Sequence, residues 1–359
     1  MSHAFLGMSH AFKTVSASLV VFTGLALSAC GEPMLIEGCE STADIKVYCG
    51  LDKPEDLEPL GEHPWLLIAE LGDFDGEGRL SALNLETDEP IHLTSISKPD
   101  MSFPQCGDMP TKFRPRGFHV SDLADGGFRL LVVNAGQGER IERYRVDVEP
   151  TGPELTWQGC VAVPGTVFPN DVASTGGDGF VVSHMYDGPR GIWLTTKFLL
   201  GIHTGHAAAW DAQTGWHKVE GSEASFPNGV EADAKTGRVF IGSTYGQTLV
   251  AADLAGGNAK VARIPVQSDN ITLAPDGRII SVGHTGVPLF GTAACRERLG
   301  QTCSFPFAVV ALDPVTLDQE IIYEHSEGLI PGASVALSHN GFLYMGTVFG
   351  DRVSRVKLP

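Results

Sequence analysis

From residue 50 onward the hydrophobic positions fall in short runs instead of helical stripes. Trp65–Ala69, Phe128–Val133, Gly179–Ser183, Arg238–Gly242, Arg278–Val282 and Phe342–Gly346 are β-rich segments of five or six residues. Most follow a turn signal such as Asp276-Gly277 or Asn340-Gly341, the usual approach to a hairpin strand. No stretch carries the i, i+3, i+4 pattern of a long apolar helix. The pattern predicts one strand-turn unit, repeated.

Just upstream of these runs, polar residues concentrate in a second short element. It reads Pro54-Glu55-Asp56-Leu57, Pro115-Arg116-Gly117-Phe118, Pro169-Asn170-Asp171-Val172, Pro227-Asn228-Gly229-Val230, Asp269-Asn270-Ile271 and Ala333-Ser334-Val335. With Glu55, Arg116, Asn170, Asn228, Asn270 and Ser334 taken as equivalents, the spacings are 61, 54, 58, 42 and 64 residues. Six units of that length predict an all-β fold, a six-bladed β-propeller with four short strands per blade. The inserts at 185–210 and 286–306 account for the uneven period. A β-sandwich with a helical annex is the competing architecture, but it gives no reason for a polar residue to recur at one register. In a propeller the innermost strand of every blade starts near the axis, so these positions converge on one end of a central channel.

The first thirty residues follow other rules. Lys13 is the single Lys or Arg before Cys30, with no Asp or Glu, and an apolar small-residue run covers 17–29. This predicts a signal peptide, too short for a comfortable membrane span. Leu27-Ser28-Ala29-Cys30 looks like a bacterial lipobox, in which Cys30 is acylated and becomes the mature N-terminus; ordinary cleavage after Ala29 is the alternative. Gly31 follows instead of Asp, so by analogy the inner-membrane retention signal is absent and the expected location is the outer membrane, facing periplasm or surface. Met-Ser-His-Ala-Phe occurs at both 1–5 and 8–12, which makes Met8 a candidate start. The expected division is a lipoprotein signal peptide at 1–29, an anchor and linker at 30–50, and the propeller at 51–359.

Composition sharpens this picture. Gly 43 and Pro 22 in 359 residues suit a turn-rich fold. Lys+Arg 25 against Asp+Glu 43 gives a net charge of -18, with no basic block, which excludes a nucleic-acid binder dependent on clustered cations. Oxygen-rich cation sites fit such a surface. Setting Cys30 aside leaves Cys39, Cys49, Cys106, Cys160, Cys295 and Cys303, an even set that predicts disulfides in an exported chain. Of fifteen possible pairings, neighbours in sequence (39–49, 106–160 and 295–303) are the expected ones. Zinc-type Cys-x2-Cys spacing is absent.

Glu55, Asn170, Asn228, Asp269 and Asn270 bring five oxygen donors to the repeated motif. Ca2+ takes six to eight oxygen ligands, so two carboxylates and three amides leave room for water or a substrate oxygen. Each dipeptide alone is a common turn; recurrence at one register carries the signal. Asn270-Ile271-Thr272 also forms a glycosylation sequon, irrelevant to a bacterial lipoprotein.

From about Lys53 to the C-terminus the sequence resembles the paraoxonase/arylesterase group of calcium-dependent lactonases, within the wider gluconolactonase and strictosidine-synthase-like propellers. The pieces that carry the resemblance are 54–58, 168–172, 226–230, 269–271, and 332–335 followed by 346–349. It implies a catalytic calcium held by Glu55, Asn170, Asn228, Asp269 and Asn270. It implies a second, buried structural calcium at Asp56, Asp171 and the carbonyl of Phe118, and a supporting histidine at His284. The implied chemistry is hydrolysis of lactones or activated esters, with the metal polarising the carbonyl.

Three departures bear on catalysis. The family's presumed general-base histidine is Arg116 here, and a guanidinium does not accept that proton. A second family histidine is replaced by Ala135, and no cysteine follows Cys303 to make the family's terminal disulfide. His119 is three residues from Arg116, which strand alternation places on the opposite face. Elsewhere there is no Gly-x-Ser-x-Gly, His-Glu-x-x-His or phosphate-binding Gly-x4-Gly-Lys motif. Asp73–Gly78 reads as a hairpin turn lacking the last ligand of an EF-hand, and His184 as a structural histidine, with a pocket-facing one the alternative. His203-Thr204-Gly205-His206 could bind a transition metal, but is assigned to a helical or lid insert, lining the substrate mouth beside Trp210. The expected function is a membrane-anchored calcium hydrolase acting on a small lactone or ester, with Arg116, His284 and Glu55 as catalytic candidates. A non-catalytic calcium-stabilised binding propeller and a strictosidine-synthase-like activity are the alternatives.

Overall fold

Six four-stranded antiparallel blades surround one axis in the computed structural model, which describes residues 34–72, 76–94, 100–104, 106–286, 301–326 and 328–358. The innermost strands are Pro54–Pro59, Pro115–Asp122, Pro169–Gly176, Pro227–Asp233, Gln267–Leu273 and Val335–His339, in blades one to six. The second strand of each blade is one of the apolar runs read from the sequence, from Trp65–Glu70 in the first blade to Phe342–Gly346 in the sixth. Blade two gains a short fifth strand, Phe103–Pro104, parallel to its outer edge.

The ring closes through the N-terminus. Ile45–Cys49 pairs antiparallel with Arg352–Lys357 and forms the outermost strand of blade six. The propeller therefore begins before residue 51, and the segment expected to be a linker supplies a strand. Its neighbour Met34–Ile36 pairs with Thr302–Ser304.

Side-chain alternation explains why the second strands read as unbroken apolar runs. In Trp65–Glu70, Leu67 and Ala69 pack toward blade two with Phe118, Leu130 and Trp157, while Leu66 and Ile68 pack toward blade six with Val335 and Tyr344. Each strand is covered on both faces, so period two vanishes from the sequence. Equivalent clusters fill the other interfaces, such as Val172, Phe180 and Trp210 against Leu131 and Val133. Trp210 stacks on Phe180 at 5.2 Å inside that cluster and does not line the substrate mouth, a correction to the expectation above.

Two of the expected disulfides form, Cys39–Cys49 and Cys106–Cys160, with Cα atoms 6.2 and 5.3 Å apart. The pairing expected between Cys295 and Cys303 involves Cys295, which lies outside the described residues. Cys30 and the signal segment lie outside them too, as do Asp73, Phe74 and Asp75. The insert after blade three's second strand carries the expected helix, Ile192–Leu199. None of the described helices is long and apolar enough to cross a membrane.

Candidate active site at the channel mouth

Five of the six inner strands break register at the same place. The shifts fall between Pro54 and Asp56, Pro115 and Phe118, Pro169 and Val172, Pro227 and Val230, and Ser268 and Ile271. Such a bulge adds an unpaired residue and re-aims its neighbours. It aligns Glu55, Arg116, Asn170, Asn228 and Asp269 as one layer, and Asp56, Gly117, Asp171, Gly229 and Asn270 as the next. In blade five the counterpart of Asn170 is thus Asp269, one residue before the expected Asn270. Gly117 answers to close approach: a β-carbon there would collide with the Asp171 carboxylate.

The first layer shares one cavity of about 400 Å³, lined by Glu55, Asn170, Asn228 and Asp269 together with Arg114, Arg116, Arg190, His284, Phe226 and Tyr245. The donors touch one another. Asn170 Nδ2 donates to Asn228 Oδ1, Asn228 Nδ2 donates to Asp269 Oδ1 at 2.7 Å, and Asn270 Nδ2 donates to Glu55 Oε1 at 3.1 Å. All five residues expected to hold calcium are therefore brought together. Glu55 Oε2 and Asn270 Oδ1 are buried and find no hydrogen-bond partner among the described residues. An orphaned buried oxygen costs about 1–3 kcal/mol, more when charged, so the pair fits a cation. Burial, with Asp56 and Asp269 nearby, drives the Glu55 carboxyl well above its ordinary range.

The second layer behaves differently. Asp56 accepts the N–H of Leu57 and of Phe118, both at 2.9 Å, and so pins blade one to blade two. Asp171 accepts the N–H of Val172 and of Val230, both at 2.7 Å, and pins blade three to blade four. Each of these four carboxylate oxygens already accepts one backbone N–H. Burial nonetheless pushes Asp56 up to about 7 and raises Asp171 too, with Asp56 adding to the latter.

Arg116 reaches across to blade three, donating to the Pro169 carbonyl at 2.5 Å, and its guanidinium also lies 3.5 Å from the Glu139 carboxylate of its own blade. Burial raises the Glu139 carboxyl, against the pull of Arg116 and Arg114. Arg190 donates to the Tyr186 hydroxyl at 2.7 Å. Sequence reading passed over Arg114, Arg190 and Glu139, which belong to no repeated motif; only Arg114, two residues before Arg116, stands near one in sequence. His284 packs its ring on Phe305 at 4.4 Å and on Phe349 at 5.8 Å, with an edge on the cavity. The insert helix buries Leu194 and sets Phe198 against Tyr245 at 4.6 Å and Phe226 at 5.2 Å, covering one wall.

Two other histidines resolve. His184 is fully buried, its Nδ1 accepting the Phe168 N–H at 3.0 Å and its Nε2 facing Asp187 at 3.0 Å, as a structural residue does. His119 departs from the alternation argument. The bulge ahead of it breaks the count by twos, and the ring meets Glu58 and Glu231 near the axis. It does not line the cavity, so it replaces no base there; depth along the channel decides this, not the face of the strand. Burial pushes His119 down to about 4 and Glu231 up to about 8.

No family model and no curated protein sequence matches the chain. Solved structures do. A gluconolactonase from Xanthomonas campestris superposes with a TM-score of 0.50 at 13% identity, covering 92% of this chain and 96% of its own. A second gluconolactonase-type protein gives 0.51 at 14%, covering 89% and 94%. A luciferin-regenerating enzyme gives 0.53 at 10%, covering 87% and 95%. The chain thus has the six-bladed propeller fold of gluconolactonase-like proteins.

Proposed function

We propose that the protein is a calcium-dependent hydrolase of the lactonase type, acting on lactones or activated esters that carry an anionic group. The observation that carries this is the convergence of Glu55, Asn170, Asn228 and Asp269 on one cavity, with Asn270 bonded to Glu55 behind them and two buried oxygens left unsatisfied. The gluconolactonase-type neighbours support the same reaction class. Calcium held by those five residues would polarise the substrate carbonyl and stabilise the oxyanion that forms.

The chain's own groups do the rest. Arg114, Arg116 and Arg190 line the cavity of a protein with net charge -18, a placement that suits a carboxylate or phosphate on the substrate. Arg116 holds its place through the Pro169 carbonyl and Glu139 and cannot act as base. His284 is the one imidazole among the cavity-lining residues, and we assign it the proton taken from the attacking water. Phe226, Tyr245 and Met185 exclude solvent from the remaining wall.

The test is turnover of an aryl acetate, a neutral lactone and a carboxylate-bearing ester, with and without chelator. Turnover abolished by chelation and restored by Ca2+ is expected. Unchanged turnover in chelator would overturn the metal, and no turnover of any substrate in Ca2+ would leave a binding propeller.

We further propose that the protein is anchored in the bacterial envelope through acylated Cys30, on the strength of the lipobox-like 27–30. Cys30→Ser should release it from the membrane fraction as a folded soluble protein. Absence of labelled fatty acid in the wild type would defeat the anchor.

A further inference from the structure

Two residues beyond the layer of Asp56, Gly117, Asp171 and Gly229, the inner strands carry Glu58, His119, Ala173 and Glu231. Three of these four positions hold metal-ligating side chains, on blades one, two and four. Their ligand atoms all lie within 4.8 Å of one another. Blade three contributes only a methyl group at this register, which leaves room between its neighbours.

The separations are informative. His119 Nδ1 lies 3.6 Å from Glu58 Oε1 and 3.8 Å from Glu231 Oε1. Both exceed a hydrogen bond, which needs about 2.7–3.2 Å. They are close to the edges of a coordination polyhedron: bonds of about 2.1 Å set neighbouring donors ~3.0 Å apart at a right angle and ~3.4 Å at a tetrahedral one. Among the described residues, the Glu58 carboxylate and the His119 ring make no hydrogen bond at all, and no lysine or arginine pairs with either carboxylate. Glu231 alone is braced, its Oε1 accepting the Ala232 N–H at 2.7 Å, the kind of outer contact that orients a ligating carboxylate.

We propose that Glu58, His119 and Glu231 form a binding site for a first-row divalent transition metal, Zn2+ being the probe of choice, deeper in the channel than the calcium mouth. Two carboxylate oxygens and an imidazole nitrogen suit zinc or manganese; calcium prefers an all-oxygen shell of six to eight ligands. Three protein ligands leave a position for water, and side-chain exposures of 16% for Glu58 and His119 against 6% for Glu231 give the ion a route in. The ion ties blades one, two and four together across the axis and offsets two carboxylates that have no other cation among the described residues. This site stands independently of the reaction proposed for the mouth.

Full-length protein is stripped with chelator, returned to saturating Ca2+ to fill the mouth, and titrated with Zn2+. One equivalent of tightly bound Zn2+ and a raised Tm are expected. His119→Ala and Glu231→Gln should each weaken Zn2+ binding at least tenfold and leave the Ca2+ response intact. Zn2+-soaked wild-type crystals should show an anomalous peak between the three donors, a readout that does not depend on the variants folding. A soaked crystal without that peak, or equal Zn2+ binding by wild type and His119→Ala, overturns the site.

Discussion

Glu55→Gln should abolish the stabilisation that Ca2+ gives the wild type and yet make the stripped protein more stable at pH 8. The first half follows from linkage: a ligand bound only by the folded state adds RT ln(1 + [L]/Kd), about 2.7 kcal/mol at a hundredfold excess over Kd. Glutamine keeps the shape of Glu55 and its contact with Asn270, but not the charge that a cation needs. The second half follows from protonation. Burial, then Asp56 and Asp269, hold the Glu55 carboxyl well above its ordinary range, and Asp56 sits at about 7. A folded state with raised carboxyl values binds protons that the unfolded chain has released, so its stability falls as pH rises from about 4 through those values. Without metal the wild type should therefore lose Tm between pH 4 and 8, more steeply than Glu55→Gln, and the two should converge near pH 4. Turnover should fall on the order of 10²–10³-fold, the scale of losing charge stabilisation at an oxyanion. Thermal melts across pH, in chelator and in Ca2+, check each part. Equal Ca2+ responses in the two proteins would remove Glu55 from the metal shell.

Much of this was legible in the chain, and the exceptions rest on pairing, loops and long-range contacts that leave no periodic mark. Recurring Pro-polar elements before apolar runs mark the inner and second strands because every blade meets the axis in the same way. Glu55, Asn170, Asn228 and Asp269 are readable for that reason. The bulges are not, since they depend on how each inner strand pairs with its neighbour. They shift blade five from Asn270 to Asp269 and set His119 beside Glu58 and Glu231. Arg114, Arg190 and Glu139 come from loops and an insert, where no period exists to align them. The closing strand Ile45–Cys49 was hidden by distance: its partner Arg352–Lys357 stands at the other end of the sequence, and pairing of that kind leaves no local mark.

Arg116→His should lower kcat/KM for a carboxylate-bearing ester by about 10–100-fold and leave a neutral lactone unchanged or faster. Arg116 is fixed by the Pro169 carbonyl and by Glu139, with Arg114 and Arg190 on the same cavity. A charged hydrogen bond is worth about 1.5–3 kcal/mol, which sets the loss on the acidic substrate. Histidine is too short to keep the bond across to blade three, so Glu139 loses one of its cations, keeping Arg114, and the imidazole stands free to face the cavity. There it is a potential base, and such assistance is typically worth ~10²–10⁴-fold when well placed. A neutral substrate has no carboxylate contact to lose, so any base gained shows as a net rise. Arg116→Lys separates the two effects: it retains charge without the planar fork and without a base, so the acidic ester should recover in part while the neutral lactone stays at the wild-type rate. Equal losses on both substrates in the histidine variant would mean that Arg116 acts on the reacting carbonyl itself and not on a remote anion. The placement of three arginines in the cavity would then serve the oxyanion, and the acidic-substrate reading would fall.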